Sequence, residues 1–198
     1  MANIVSPFDD PKERVTAGIF GMACFIVSLA MLFVSTILGV VVVRLQDPES
    51  WSLDGNSGLP FGLLASTVVL LASSLTMMIA SRAARKGAGD RLARWITVTF
   101  VLAIVFLLLQ AVAWWELLRL GVGIDSNLWA WTFYVLTALH ALHVIGGVVP
   151  MGIVTLKARR RGYSTMNHRG VTYVGMYWHF LDLAWLCLYA TLWWATGI

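Results

Sequence analysis

The stretch from Thr16 to Val43, TAGIFGMACFIVSLAMLFVSTILGVVVV, holds 28 residues without a charge. As a helix rising 1.5 Å per residue it would be about 42 Å long. The hydrocarbon core of a bilayer is about 30 Å thick and needs about 20 apolar residues. The run therefore reads as a membrane span, and four more follow it. The second runs from Ser57 to Ser81, opened by Pro60 and closed by Arg82. The third runs from Trp95 to Trp115. The fourth runs from Leu128 to Leu156 and contains His140 and His143. The fifth runs from Val171 to Gly197 and contains His179 and Asp182. The sequence thus predicts an all-α membrane protein, a bundle of five transmembrane helices. Residues 1–15 read as a cytoplasmic N-terminal segment and 16–198 as a single transmembrane domain, with no room for a separate soluble one.

Composition agrees. The 198-residue chain is 59% hydrophobic and 12% charged, whereas soluble domains carry about 25% charged residues. Too little polar surface is present to cover so much apolar surface in water. That excludes a cytosolic enzyme, a secreted module and a disordered chain. The net charge of +4 points to lipid and topology through its distribution, not to nucleic acid. Lys12 and Arg14 precede the first span. Arg82, Arg85, Lys86, Arg91 and Arg94 lie between spans two and three, and Lys157, Arg159, Arg160, Arg161 and Arg169 between four and five. Only Arg44 and Arg119 fall at the other ends. Short basic loops stay cytoplasmic, which sets the N-terminus inside and the C-terminus outside. The opposite loops carry Asp47, Glu49, Asp54, Glu116 and Asp125. There too fall Trp51, Trp114, Trp115, Trp129, Trp131, Trp193 and Trp194, which read as an interfacial aromatic belt.

The first apolar run is too long for a signal-peptide core. Asp9, Asp10 and Glu13 are wrong for a mitochondrial presequence. The chain therefore reads as a bacterial plasma-membrane protein. Cys24 and Cys187 lie in apolar runs and read as small buried hydrophobes.

Membrane bundles rely on close packing of small residues. Span two offers Ala72, Thr76 and Ala80 on one stripe, with Ser66 and Ser73 beside it. Span four has Gly146 and Gly147 one turn after His143, and Pro150 removes an N–H and frees the Gly146 carbonyl, predicting a kink. These features read as a tightly packed bundle or partner interface, with a glycine-lined substrate path as the other reading.

Ionisable groups inside a membrane are expensive, about 2.5–3.5 kcal/mol for Asp. Asp182 is the one acid deep in a span, about 16 Å past Val171. His179 lies three residues earlier on the same face, and His140 and His143 share a face of span four. If spans four and five pack together the pairs can meet. Three readings follow. Asp182 is satisfied by a histidine or tryptophan N–H and fixes helix register. Alternatively, the groups form a proton or ion relay, which would suit an autonomous proton-coupled transporter. In the third, His143 and His179 ligate a haem, as in a small electron carrier. No further ligands cluster for a metal site. Gln110 and Trp114 share a face of span three, and Gln110 reads as a hydrogen bond across helices. In the loop Tyr163–Arg169, Asn167, His168 and Arg169 read either as contacts for a phospholipid headgroup or as a plain basic loop.

The segment Tyr177-Trp178-His179-Phe180-Leu181-Asp182-Leu183-Ala184-Trp185 resembles the last-helix signature of subunit III of haem–copper oxidases, Tyr-Trp-His-Phe-Val-Asp-Val-Val-Trp. His140-Ala141-Leu142-His143-Val144-Ile145-Gly146-Gly147 resembles the same family's His-x-x-His-Val-x-x-Gly helix. Leu71 to Ser81 ending in Arg82, Phe106 to Trp114 with Gln110, and His168 before the last helix agree with it. The resemblance spans roughly residues 15 to 196 and fits the short bacterial form. The long form has two further helices at its start, which build half of a lipid-filled cleft. Where the family commonly has Ser-Glu-x-Met-x-Phe, this chain has Ser28-Leu29-Ala30-Met31-Leu32-Phe33, so no role of that glutamate carries over.

The resemblance implies an accessory subunit of an oxidoreductase, cytochrome c oxidase in type, with no catalytic centre of its own. The haems and copper would belong to the partner subunit I. This chain would stabilise subunit I and its proton uptake and bind phospholipid. His140, His143, His179 and Asp182 would then form an internal polar lock, and His168 and Arg169 would meet lipid headgroups. Homologous subunits accompany quinol oxidases and some nitric oxide reductases, so those complexes stay open.

Overall fold

Hydrocarbon offers no water to backbone N–H and C=O groups, so an uncharged run of span length closes its hydrogen bonds internally as a helix. A computed structural model of the chain describes residues 11–48, 51, 60–164 and 168–196. They form α1 (Pro11–Gln46), α2 (Phe61–Arg85), α3 (Gly89–Arg119), α4 (Leu128–Arg159) and α5 (Arg169–Ala195). Each apolar run has become one helix. The segment before Pro11, the second span's expected start at Ser57, and Glu49, Asp54, Asn167 and Gly197 lie outside the described residues. Four helices have the length and apolar character to cross a membrane: Val15–Gln46 within α1, then α2, α3 and α4. α5 has the length, at 27 residues, but is not one of these four. Tyr173, Tyr177, Trp178, Trp185, Tyr189, Trp193 and Trp194 share it with His179 and Asp182.

The helices outrun the apolar stretches because terminal Lys and Arg stay helical while their long stems reach to the interface. Three ends share one device. After α2, Gly87 turns left-handed at φ 68°, and Ala88 N–H reaches back to Ala83 O at 3.0 Å. After α3, Gly121 has φ 78° and Val122 N–H reaches Leu117 O at 3.0 Å. Glycine suits both positions because it carries no Cβ. After α4, Arg161 takes the left-handed place at φ 52°, and Gly162 N–H reaches Lys157 O. The same Arg161 meets Asp90 of α3 at 3.1 Å. At the start of α4, the Asn127 side chain accepts from Ala130 N–H at 2.7 Å, satisfying an otherwise unpaired donor.

Four helices pack in a cycle, α2 on α3, α3 on α4, α4 on α5 and α5 back on α2. α1 lies outside the cycle, mainly against α5. Large apolar side chains face outward from every helix, among them Phe20, Met31, Val68, Leu108, Leu142 and Leu183. In lipid this carries no penalty, and burial between helices carries little reward. Cohesion must come from fit and from polar contacts. Fit is visible at Gly147, where a Cβ would stand 2.8 Å from the Tyr177 ring. α4 runs through Pro150 to Arg159 without interruption.

Two expectations change. Cys24 and Cys187 are free thiols on the exposed surface; an apolar neighbourhood does not imply burial when the surroundings are themselves apolar. The tryptophans also divide. Trp115, Trp131, Trp193 and Trp194 are exposed as a belt requires, but Trp51 and Trp129 are buried. Trp129 stacks on Phe133 at 5.4 Å, and Trp114 donates to Thr137 Oγ1 at 3.0 Å. They serve the packing of the bundle at that end.

Candidate functional site

The polar residues of the interior are organised by α2. Ser66 and Ser73 stand seven residues apart, as do Thr67 and Ser74. Seven residues are nearly two helical turns, so the four hydroxyls form a rail along one side. Ser66, Thr67 and Ser73 each donate to a carbonyl one turn back, at 2.7–2.8 Å. That orients their lone pairs towards neighbouring helices. Gln110 of α3 donates through Nε2 to Ser66 Oγ at 2.9 Å. Thr76 and Thr99 meet through their hydroxyls at 2.9 Å. From α5, Trp178 Nε1 donates to Ser73 Oγ at 3.0 Å and Trp185 Nε1 to Thr67 Oγ1 at 2.9 Å. His179 Nδ1 and Ser74 Oγ lie 2.9 Å apart.

Asp182 sits one turn beyond His179, 5% exposed. Its Oδ2 lies 3.6 Å from His179 Nδ1, longer than a hydrogen bond. His179 and Ser74 are the polar groups facing it. Neither carboxyl oxygen has a hydrogen-bond partner among the described residues. The indoles that could have reached it donate to Ser73 and Thr67 instead.

The histidines of α4 occupy a different place. His140 is fully buried in a cage of rings, with Trp185 at 4.9 Å, Phe106 at 5.8 Å and Phe33 at 6.1 Å between centroids. Neither ring nitrogen has a hydrogen-bond partner among the described residues. His143 turns its Nδ1 to Leu139 O at 2.7 Å and lies 5.2 Å from Phe33. Tyr177 of α5 donates to the His143 carbonyl at 3.0 Å. The four sequence-predicted residues therefore form two groups, His179–Asp182 beside α2 and His140–His143 beneath Phe33. Among the described residues no hydrogen bond joins the groups. Trp185 connects them physically, with its ring on His140 and its N–H on Thr67. His143 has its ring contact with Phe33 of α1 and His179 its side-chain contact with Ser74 of α2. Among the described residues no three His, Cys, Asp or Glu side chains come together as a metal ligand set.

Gln110 bridges helices as its position predicts. Thr67 and Ser74 lie outside the residues that the sequence marks, and Phe33 and Phe106 stand there only at the ends of family-like segments. The signal for the rail was the seven-residue recurrence in α2, matched by Trp178 and Trp185, also seven apart, in α5.

His168 lies at the start of α5 and lines a groove with Arg82 and Arg85 at the end of α2. Arg169 opens α5 beside it. Nearby, Lys157 Nζ stands 4.9 Å over the Tyr163 ring, and burial holds the Tyr163 phenol above its ordinary range. Basic groups from α2, α4 and α5 thus gather at one end of the bundle.

Four membrane-length helices, apolar outside and cross-linked inside by hydroxyls, indoles and an amide, define an integral membrane protein of the polytopic helix-bundle class. Residues 9–196 match the family model described as cytochrome c oxidase subunit III. The chain belongs to that family, and so to the electron-transport machinery of the respiratory chain. A cytochrome c oxidase subunit 3 of Thermostichus vulcanus is 30% identical over 185 residues, covering 93% of this chain and 90% of the relative. One from Synechocystis sp. is 32% identical over 172 residues, covering 86% and 72%. A cytochrome bo(3) ubiquinol oxidase subunit 3 of Pseudomonas aeruginosa is 28% identical over 174 residues, covering 88% and 83%.

Proposed function

We propose that this chain is the non-catalytic subunit III of a respiratory haem–copper terminal oxidase of the cytochrome c oxidase type. It packs beside subunit I, in which the haems and copper reside, stabilises that subunit and its proton uptake, and binds phospholipid. It lies in a bacterial plasma membrane with the basic end, and hence the N-terminus, on the cytoplasmic side. α5 crosses the bilayer as the fifth span, because Trp178 and Trp185 turn inward onto α2 and Tyr177 onto α4, so its hydropathy understates its fitness for lipid.

The observation that carries this reading is the rail. The interior hydrogen bonds of α2 join helix to helix, the arrangement of a scaffold and not of a transport path. His179 and Asp182 act as structural groups beside the rail, His140 and His143 as structural groups packed among the rings of Phe33, Phe106 and Trp185, and His168 and Arg169 face lipid headgroups. The Pseudomonas relative supports a second reading, a subunit III of a quinol oxidase, which differs only in the electron donor used by other subunits.

The test is a mild-detergent pull-down of the tagged chain, reading absorption spectrum, oxygen consumption and partner masses together. A coloured, oxygen-consuming complex with a large polytopic subunit is the expected result, and its donor preference separates cytochrome c from quinol. A colourless chain without partners overturns the proposal and makes liposome ion flux the next assay, since an autonomous transporter would then be the better reading.

A further inference from the structure

α1, α4 and α5 enclose a cavity of about 430 Å³, a size typical of small-molecule sites between helices. From Gly146 to Lys157 it follows α4 for about 16 Å. Its walls are rings. Phe25 of α1 stacks on Tyr177 of α5 at 5.9 Å between centroids, and Tyr173 and Tyr163 continue the lining towards Lys157. Gly18 lets α1 lie against the Tyr173 hydroxyl, and Gly170 makes room for the Tyr163 hydroxyl, 2.8 Å from where a Cβ would stand. A Cβ on Gly146 would stand 3.9 Å from Tyr177 Oη, so the other end of the cavity is wide. Phe25 and Ile153 line it and are at least half exposed, which sets its opening towards lipid, between α1 and α4. Its one charge is Lys157, whose Nζ stands 4.9 Å over the Tyr163 ring. Among the described residues no carboxylate lines it.

These features select the occupant. It enters from the bilayer, so most of its surface is apolar. It carries a planar ring, because aromatic walls reward stacking beyond the area they bury. It presents an oxygen acceptor, because an ammonium and a phenol can both donate and the ammonium cannot accept. The Tyr163 ring already meets part of the Lys157 charge, so a neutral carbonyl oxygen suffices. A cation would be repelled by Lys157. We propose that the cavity binds a lipid-soluble quinone. Its ring lies against Tyr163 and Tyr173, and one carbonyl oxygen accepts from Lys157 Nζ and the Tyr163 hydroxyl. Its isoprenoid tail passes Phe25 and Gly146 and leaves between α1 and α4. The site holds a quinone and transfers no electron. It is built from this chain alone, so it goes beyond the subunit III reading and stands whichever electron donor the complex uses.

The test is photolabelling of the purified complex containing the full chain with an azido-substituted decylubiquinone, followed by peptide mapping of this chain by mass spectrometry. Label should fall within residues 146–163 or 170–177. Excess decylubiquinone should suppress it. Decylbenzene, which has a ring and a tail but no carbonyl, should not, and neither should dioleoyl phosphatidylglycerol. Lys157→Met should raise the decylubiquinone concentration needed for half-protection about tenfold, the worth of one charge-assisted hydrogen bond. Gly146→Leu narrows the cavity and should lose most of the label. Should that variant fail to assemble, Lys157→Met decides the matter, because Lys157 is exposed and its loss leaves the packing intact. Absence of label from both segments, equal suppression by decylbenzene or by the phospholipid, or unchanged half-protection in Lys157→Met would each overturn the site. None of these outcomes alters the haem colour or partner masses that test the subunit III reading, so the two fail separately.

Discussion

Thr67→Val is the most informative single change in the rail. It keeps the side chain's shape and removes the hydroxyl that accepts from Trp185 Nε1 at 2.9 Å. Interhelical hydrogen bonds in membranes average about 0.6 kcal/mol and reach about 1.7. Both partners here are buried, so the indole N–H is left without water or another acceptor, at a cost of about 1–3 kcal/mol. We expect Thr67→Val to destabilise by about 1.5 kcal/mol, close to a tenfold change in the folding equilibrium. Trp185→Phe loses the same bond and some ring contact with His140 and Phe106. In the double variant no donor is left unsatisfied, so Thr67→Val should add little once Trp185 is Phe. The coupling between the two should be about 1 kcal/mol. The assay is reversible unfolding of the full chain in mixed micelles under titrated sodium dodecyl sulfate, run on all four members of the cycle. A coupling below about 0.3 kcal/mol would refute the claim that the rail holds α5 to α2.

Three further outcomes follow from the same interior. His140→Leu should be neutral or stabilising by up to about 1 kcal/mol, because it removes two buried nitrogens without partners; a loss above about 2 kcal/mol in the same titration would mean that the imidazole has an essential polar role. Asp182→Ala should reduce assembly and detergent resistance of the complex more than its initial turnover. Normal assembly with abolished proton uptake would instead assign Asp182 to a relay. Gly147→Ala should cost about 1–3 kcal/mol by overpacking, since its Cβ would stand 2.8 Å from Tyr177. Gly39→Ala, with open space around the new Cβ, should be neutral or better.

What the sequence disclosed was governed by short-range physics. Helix number and rough bounds follow from apolar runs, which need no knowledge of neighbours. Gln110 was legible because an amide in hydrocarbon demands a partner. Pairing was harder. His140 and Asp182 are both buried and ionisable, and spacing alone allowed them to meet. Rotation of α5 decides otherwise, sending Trp178 and Trp185 to α2 hydroxyls and leaving His140 among rings. The thiols show the same limit, because Cys24 and Cys187 sit in runs whose inward and outward faces are equally apolar. Trp51 and Trp129 look like belt residues until the packing of that end is known.

The placement of α1 has a consequence for biogenesis. Its main helix partner is α5, which is made last of the five. Between Gln46 and Ala195 the ribosome adds roughly 150 residues, about 7–30 s of synthesis at about 5–20 residues per second. Through most of that interval α1 has only the contacts of Phe33 with α4 to come, while α2 and α3 can already associate as a hairpin. Insertion and assembly are thus separated in time for this helix, and stalling translation before residue 169 should leave α1 open to crosslinking by lipid-borne probes.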